Sequence, residues 1–311
     1  MSSVHVEALK KNYGAVHALD GLNLEVASGT VFGFLGPNGA GKTTTLRILT
    51  GLARPTSGKA KVAGVDVLKD AGKLSCRIGH LPEEPAFYPW MTPREFLDYL
   101  GRLYGLSSRE RSSRTRELLA LVRMEDVSRR RIAGFSRGMR QRLGVAAALI
   151  HHPEVLFLDE PASALDPAGR KEVLDLIGNL RGQCTVLMST HILADVERVC
   201  DVVGIIAKGR MLVQSGREAL LDHYAIPAFE VEGDDHAALA GWVEDLRRLP
   251  WVISVTPRNG AFRITVRDVQ AAKHALLRLA VNSGVALNRY EEVRPSLEDV
   301  FLQLVGSEGL A

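Results

Sequence analysis

The chain has 311 residues, 46% of them hydrophobic and 24% charged, with a formal net charge of +3, the composition of a soluble globular protein large enough for two domains. No apolar run approaches the about 18–20 residues of a membrane helix: the most apolar stretch, LGVAAALI at 143–150, is far shorter, and the opening MSSVHVEALKKNYG lacks the apolar core of a secretory signal. Cys76, Cys184 and Cys200 match neither a disulfide framework nor a metal-ligand spacing, so a cytoplasmic chain is expected.

In chain order, the first informative element is VFGFLGPNGAGKTTTLRIL. An apolar strand over 31–35 runs into Gly36, Pro37, Asn38, Gly39, Ala40, Gly41, Lys42 and Thr43, and a helical pattern follows through Thr44. This is a GxxxxGK[ST] loop between a strand and a helix. Glycines let backbone N–H groups curl around phosphate oxygens, and the helix start adds its positive dipole end. Lys42 then reaches the β- and γ-phosphates, and the Thr43 hydroxyl completes a Mg²⁺ shell. The loop predicts a nucleoside triphosphate ligand.

From Thr92 the period becomes helical. Thr92-Pro93-Arg94-Glu95 reads as a capping box with proline in the first turn, followed by Phe96, Leu97, Leu100, Leu103 and Tyr104 at helical spacing. Leu118, Leu119, Leu121 and Val122 mark a second amphipathic piece, and a mainly helical insertion is expected over about 84–150. Between Arg102 and Arg142 stand 12 arginines, no lysine and four acids. That is a solvated helical face or a surface for anionic headgroups or an acidic partner. No aromatic residue interleaves the run from 105 to 134, so no nucleic-acid partner is expected. FSRGMRQR at 135–142 reads alone as a helix start capped by Ser136.

The segment EVLFLDEP predicts a strand over 155–158 apolar on both faces, hence buried in a parallel sheet. Asp159 and Glu160 emerge at its C-terminal end, where ligands of open α/β sheets bind. Adjacent carboxylates face opposite sides of an extended strand, so Asp159 is assigned to Mg²⁺ and Glu160 to polarising an attacking water. A further buried strand ends in Ser189-Thr190-His191, which places His191 near a γ-phosphate or its transition state.

With these motifs in this order, the chain from Val4 to about Leu221 resembles the ATP-binding subunits of ATP-binding-cassette (ABC) transporters, on GPNGAGKT, FSRGM, LFLDEP, SALD and STH. The resemblance implies two subunits closing head to tail around two ATP molecules. Ser136 and the Gly138 backbone of one subunit would then meet the γ-phosphate held by the other. Asp166 would act at the dimer interface, and Tyr13 would stack on adenine. It also implies a separate integral membrane permease whose short cytoplasmic helices dock on the LPEEPAFYPW loop, where Phe87, Tyr88 and Trp90 suit the groove. The chain would then sit peripherally on the inner face of the cell membrane. Three positions depart from the family pattern. The signature is Phe-Ser-Arg-Gly-Met, close to an export-associated subgroup, where Leu-Ser-Gly-Gly-Gln is commonest. Glu83 replaces the usual glutamine that joins Mg²⁺ to the coupling region, where a carboxylate still offers a ligand and a catalytic contact but adds negative charge. Ala164 replaces a frequent glycine.

After Leu221 the order of elements reads β-α-β-β-α-β, a ferredoxin-like pattern, with helices expected over 237–249 and 269–281. A last helix, PSLEDVFLQLV, is capped by Ser296 and carries Glu298 and Asp299 in its first turn. RPSLEDVFLQL resembles the tails of exporter-type subunits for drugs, lipids or polysaccharides, and suggests a dimerisation or regulatory role. The expected architecture is an α/β phosphate-loop ATPase domain (1–221) with a mainly parallel sheet and an inserted helical subdomain, followed by a small α+β accessory domain (222–311). An alternative is a soluble ABC-type ATPase acting on nucleic acid or ribosomes. Such proteins carry a long coiled coil or two cassettes, whereas this chain has one cassette and no heptad run.

Overall fold

The computed structural model describes residues 2–163, 165–224, 227–258, 260–293 and 296–308. Ala164, and Arg294 and Pro295 of the tail motif, lie outside the described residues. The chain divides into two compact units, Met1–Arg217 and Glu218–Ala311.

In the first unit, β1 (Ser2–Tyr13) and β2 (Val16–Ala27) form an antiparallel pair, and β3 (Val31–Leu35) leads through the glycine-rich loop into α1 (Lys42–Leu49). β4 (Ser57–Val62) returns beside β1, and β5 (Val65–Asp66) closes a sheet of order β2-β1-β4-β5. After α2 (Ala71–Arg77) and β6 (Ile78–Leu81) the chain turns helical, with α3 (Pro93–Leu103), α4 (Ser108–Leu121), a 3₁₀ turn (Ile132–Gly134) and α5 (Arg137–Ala148). It then alternates through β7 (Val155–Asp159), α6 (Pro167–Asn179), β8 (Thr185–Thr190), α7 (Leu193–Val199), β9 (Val202–Ala207) and β10 (Arg210–Gly216).

The second sheet has the order β10-β9-β3-β8-β7-β6. Its pairs are parallel except β10 with β9. Every residue of β3, β7 and β8 is buried, as a parallel sheet covered on both faces demands. Register sets Leu35 beside Thr190, and Asp159 beside Ser189. Three strand ends therefore open at one edge of the sheet. One hydrophobic cluster takes Val4 and Leu24 from the first sheet, Leu46 from α1, and Phe34 and Phe157 from the second.

In the helical segment the capping box at Thr92 and Glu95 is formed, and an unforeseen second one joins Ser107 to Glu110 at the start of α4. Phe96, Leu97, Leu118, Leu119 and Val122 are buried as their spacing predicts, Leu100 and Leu121 are half-buried, and Tyr104 and Leu103 are exposed, the latter at 65%. Leu103 lies in the last turn of α3, beyond the packed stripe.

In the second unit, α8 (Arg217–His223), which spans the division between units, precedes β11 (Ala228–Glu232), α9 (His236–Leu246), β12 (Val252–Arg258), β13 (Ala261–Val266), α10 (Val269–Asn282), β14 (Arg289–Val293) and α11 (Leu297–Glu308). The sheet order β12-β13-β11-β14, antiparallel throughout, is the ferredoxin-like arrangement. α9 ends at Leu246 instead of Leu249, because Pro250 disfavours helical backbone at the residue before it. Leu249 closes a turn on Leu246 O instead. Phe229, Val231, Trp242, Ile264 and Leu276 form the core. Arg263 alternates with Ile264 on β13 and so faces the other side of the sheet. There it pairs with Asp299 of α11 at 2.9 Å, while Asp299 also accepts from the Ser296 backbone N–H at 2.9 Å. Asp299 therefore both caps α11 and ties it to β13.

Candidate active site

The glycine-rich loop is pressed against its neighbours. A Cβ on Gly36 would lie 2.4 Å from Ile206 O, and one on Gly41 would lie 2.6 Å from Ala18 O. Gly41 caps α1 with φ 108, a left-handed backbone that glycine adopts without strain. The Ala40 N–H donates to Pro37 O at 3.2 Å, and the Gly209 N–H donates to Ala40 O at 3.0 Å, closing the turn and tying it to the β9–β10 connection. Pro37, Asn38 and Gly39 are exposed at the mouth, while Thr44 is half-buried in α1. Lys42 is buried and donates to Gly36 O at 2.6 Å and Pro37 O at 3.2 Å. Burial lowers its pKa below the ordinary lysine value, opposed by the attraction of Glu160, Asp159 and Glu83.

The two carboxylates at the end of β7 take separate partners, as strand alternation predicts. Asp159 accepts from Thr43 Oγ1 at 3.3 Å and from Ser189 Oγ at 2.5 Å. Glu160 stands with both oxygens 3.0 Å from His191 Nδ1 and with Oε1 3.7 Å from Lys42 Nζ. Its backbone has φ 48, a conformation that costs a non-glycine residue about 1–3 kcal/mol unless its surroundings hold it. Ser189 supplies that hold: the Glu160 N–H donates to Ser189 O at 3.1 Å and to Ser189 Oγ at 3.2 Å, and Ser163 Oγ donates to Glu160 O at 3.0 Å. Ser189 thus orients both acids, a role invisible in a strand that reads simply as apolar.

The adjacent Thr43 and Asp159 oxygens form a small set of hard donors. Among the described residues no group of three or more His, Cys, Asp or Glu gathers to hold a metal. Two protein oxygens beside a phosphate loop fit Mg²⁺, which keeps most of its shell for water and phosphate oxygens, and do not fit a fully protein-enclosed ion.

Other sequence-predicted residues stand apart from this cluster. Ser136 is exposed and caps α5, its Oγ accepting from the Met139 N–H at 3.2 Å. A Cβ on Gly138 would meet only Leu165, at 3.9 Å. Asp166 is exposed ahead of α6 and makes no side-chain cap. Tyr13 is 48% exposed, with Lys11 Nζ 4.6 Å from its ring centre. Glu83 is exposed. Of the aromatic loop, Phe87 packs edge-on to Phe96 at 5.2 Å, and Trp90 is 63% exposed.

Two further features escape sequence reading. Alternate residues of the β6 strand and its exit meet successive turns of α5. A Cβ on Gly79 would lie 2.2 Å from Ala148 O, Leu81 Cδ1 lies 2.4 Å from where a Gly144 Cβ would stand, and Gln141 Nε2 donates to Glu83 O at 3.3 Å. The period of two on the strand matches the period of 3.6 on the helix, so the Glu83 segment and the helix capped by Ser136 are packed along their length. Buried Asp195 accepts from Arg170 Nε at 2.6 Å; burial raises its pKa above the ordinary aspartate value despite the guanidinium.

A phosphate loop facing a carboxylate pair and a histidine across the open edge of a parallel sheet defines a phosphate-loop ATPase. The ABC transporter family model matches residues 19–163, and that of the ATP-binding protein DrrA1-3-like C-terminal domain matches residues 217–305. The chain is 40% identical to an uncharacterized ABC transporter ATP-binding protein, YxlF, of Bacillus subtilis (strain 168), over 96% of this chain and 98% of that protein. It is 37% identical to the daunorubicin resistance ATP-binding protein DrrA3 of Streptomyces coeruleorubidus, over 99% and 97%. A dimeric ATP-binding cassette in a post-hydrolysis state with ADP and Pi superposes with a TM-score of 0.62 at 25% identity, over 68% of this chain and 98% of that one. The chain belongs to the ATP-binding subunits of ABC transporters: it binds and hydrolyses ATP. Subunits of this kind dimerise and work with a separate membrane subunit. Among the described residues no helix is long and apolar enough to cross a membrane.

Proposed function

We propose that this chain acts as a homodimer that closes on two ATP·Mg²⁺ and drives a polytopic exporter at the inner face of the cell membrane. The observation that carries the assignment of residues is the convergence of Lys42, Thr43, Asp159, Glu160, Ser189 and His191 at three adjacent strand ends. ATP sits with its phosphates in the loop from Gly36 to Thr44, and Lys42 exchanges Gly36 O and Pro37 O for β- and γ-oxygens. Thr43 Oγ and Asp159 hold Mg²⁺, which when bound neutralises charge on the phosphates. Glu160 takes the proton of the attacking water, and His191 fixes the Glu160 carboxylate and faces the γ-phosphate. Glu83, whose charge reaches Lys42, would offer a further carboxylate ligand to that metal.

Ser136 and Gly138 lie off this cluster because they serve the partner's site, with the start of α5 directed at its γ-phosphate. Asp166 lines the same interface and Tyr13 stacks on adenine. The first unit is the ATPase domain, with its helical segment near 84–150 receiving the permease. The unit after Arg217 is an accessory domain that supports dimerisation. The drug-resistance relative with the same two-part architecture supports export as the direction.

Phosphate release by the purified protein, with and without Mg²⁺, together with sizing in ATP, tests this reading. Mg²⁺-dependent hydrolysis and an ATP-induced dimer are expected. A monomer in saturating ATP that hydrolyses at the full rate would refute the shared site.

A further inference from the structure

A cavity of about 450 Å³ lies at the opposite end of the sheet from the nucleotide site. Its walls are α4, the turn from α5 into β7, and the connection from α6 to β8. Pro153 and Cys184 line it just ahead of β7 and β8, the strands that carry Asp159 and Ser189 at their far ends. At the rise of a parallel strand Cys184 is about 16 Å from Ser189, so an occupant of this cavity leaves the phosphate loop free.

The apolar lining is aliphatic and comes from Leu121, Leu149, Pro153 and Leu180. Against it stands Arg114. Its side chain is 13% exposed, Nη2 donates to Leu149 O at 2.9 Å, and Nε is buried without a hydrogen-bond partner among the described residues. The carboxylate that pairs with it, Glu117, takes Nη1 through one oxygen and is itself 61% exposed. An ion pair with so exposed a partner contributes little, so Glu117 is displaceable from a guanidinium that has donors to spare. His152 also lines the cavity, and burial together with the nearby Arg114 lowers its pKa, which keeps it neutral at pH 7. Among the lining residues Arg114 is thus the one cation. Burial pushes the Cys184 thiol up to about 11, so it is protonated and offers no nucleophile.

We propose that this cavity is a second ligand site, for a small amphipathic organic anion taken from solution. The acid group displaces Glu117 from Arg114, and the aliphatic body lies on Leu121, Leu149, Pro153 and Leu180. The volume falls within the roughly 300–1,000 Å³ of small-molecule sites, and an apolar lining with few placed polar groups is their usual composition. A bidentate acid group gives the planar guanidinium two acceptors where Glu117 gives it one. A neutral ligand of the same shape leaves Arg114 to Glu117 and gains apolar burial alone, and a cationic one meets Arg114 directly. The site depends neither on the membrane partnership nor on the roles assigned around Glu160.

The test titrates octanoate into the full-length protein saturated with ADP and follows the heat. One saturable site is expected, with octanol, the same tail without the charge, binding at least about tenfold more weakly. Arg114→Lys keeps the charge but loses the fork, and should weaken octanoate by about tenfold or more. Glu117→Gln, an exposed change, should leave octanoate binding intact or tighter. A diazirine-bearing octanoate locates the site without any variant, and labelling within 114–121, 149–153 or 180–184 is expected. No saturable binding at about 1 mM octanoate, equal affinity for octanol, or wild-type affinity in a folded Arg114→Lys would overturn the proposal. So would loss of binding in Glu117→Gln, displacement by ADP, uptake seen only with lipid vesicles present, or labelling confined to the phosphate loop or the second unit.

Discussion

Replacing Glu160 by Gln isolates the chemical step from nucleotide binding. The amide keeps the size of the side chain and an oxygen that can accept from His191 Nδ1, which lies 3.0 Å from both carboxylate oxygens. What is lost is the charge 3.7 Å from Lys42 Nζ and the ability to take a proton. A positioned general base is worth about 10²–10⁴-fold, or about 2.7–5.4 kcal/mol at 1.36 kcal/mol per tenfold. Glu160 is buried, left-handed at φ 48 and held by Ser189 and Ser163, so it is fixed in place, and a loss of about 10³-fold or more in kcat is expected. ATP binding should persist or tighten, since Lys42 no longer has a carboxylate to leave when the γ-phosphate arrives. Steady-state phosphate release gives the first quantity, and sizing in ATP gives the second, with the variant accumulating as a dimer. Hydrolysis within about threefold of wild type would refute the role of Glu160 as base, and loss of ATP binding would refute the separation of the two functions.

Ser189→Ala removes the 2.5 Å donor to Asp159 and one acceptor of the Glu160 N–H; kcat should fall about 10–100-fold and the Mg²⁺ needed for half-maximal rate should rise about tenfold or more, as read by magnesium titration of phosphate release. Gly79→Ala drives a Cβ to 2.2 Å from Ala148 O, a backbone atom that cannot rotate away. The expected cost is about 1–3 kcal/mol, seen as a lower Tm by scanning calorimetry. Asp195 has a native pKa raised by burial above the ordinary 3.8, so the folded state holds its proton more tightly than the unfolded state. The stability of wild type relative to Asp195→Asn should therefore fall as pH rises from 3.8 through the raised native value; urea unfolding across that range measures it, and a gap that is constant or widens with pH would count against the assignment.

Part of this molecule was legible along the chain. The phosphate loop, the capping box at Thr92 and the cap at Ser136 are built from residues within a few positions of one another, so spacing alone predicts them. The two-sided apolar runs of VFGFL and VLFLD could only be buried parallel strands, and the β-α-β-β-α-β order in the tail corresponds to the observed sheet. The departure of the two carboxylates to separate partners also follows from strand alternation. Where reading failed, a neighbour distant in sequence decided the outcome. Leu103 has the helical spacing of a core residue and is nonetheless exposed, and Ser189 looks like a strand filler until Asp159, 30 residues away, is set beside it.

By itself, then, the sequence determined which local devices exist, because backbone period, capping and loop geometry act over a turn or a strand and need no other part of the chain. Tertiary structure alone decided what those devices face. Thr43 meets Asp159 across 116 residues, and Gln141 reaches Glu83 across 58. Each such meeting depends on the order of strands in the sheet and the side on which a helix packs, and those are set by burial of the whole core and by no single spacing.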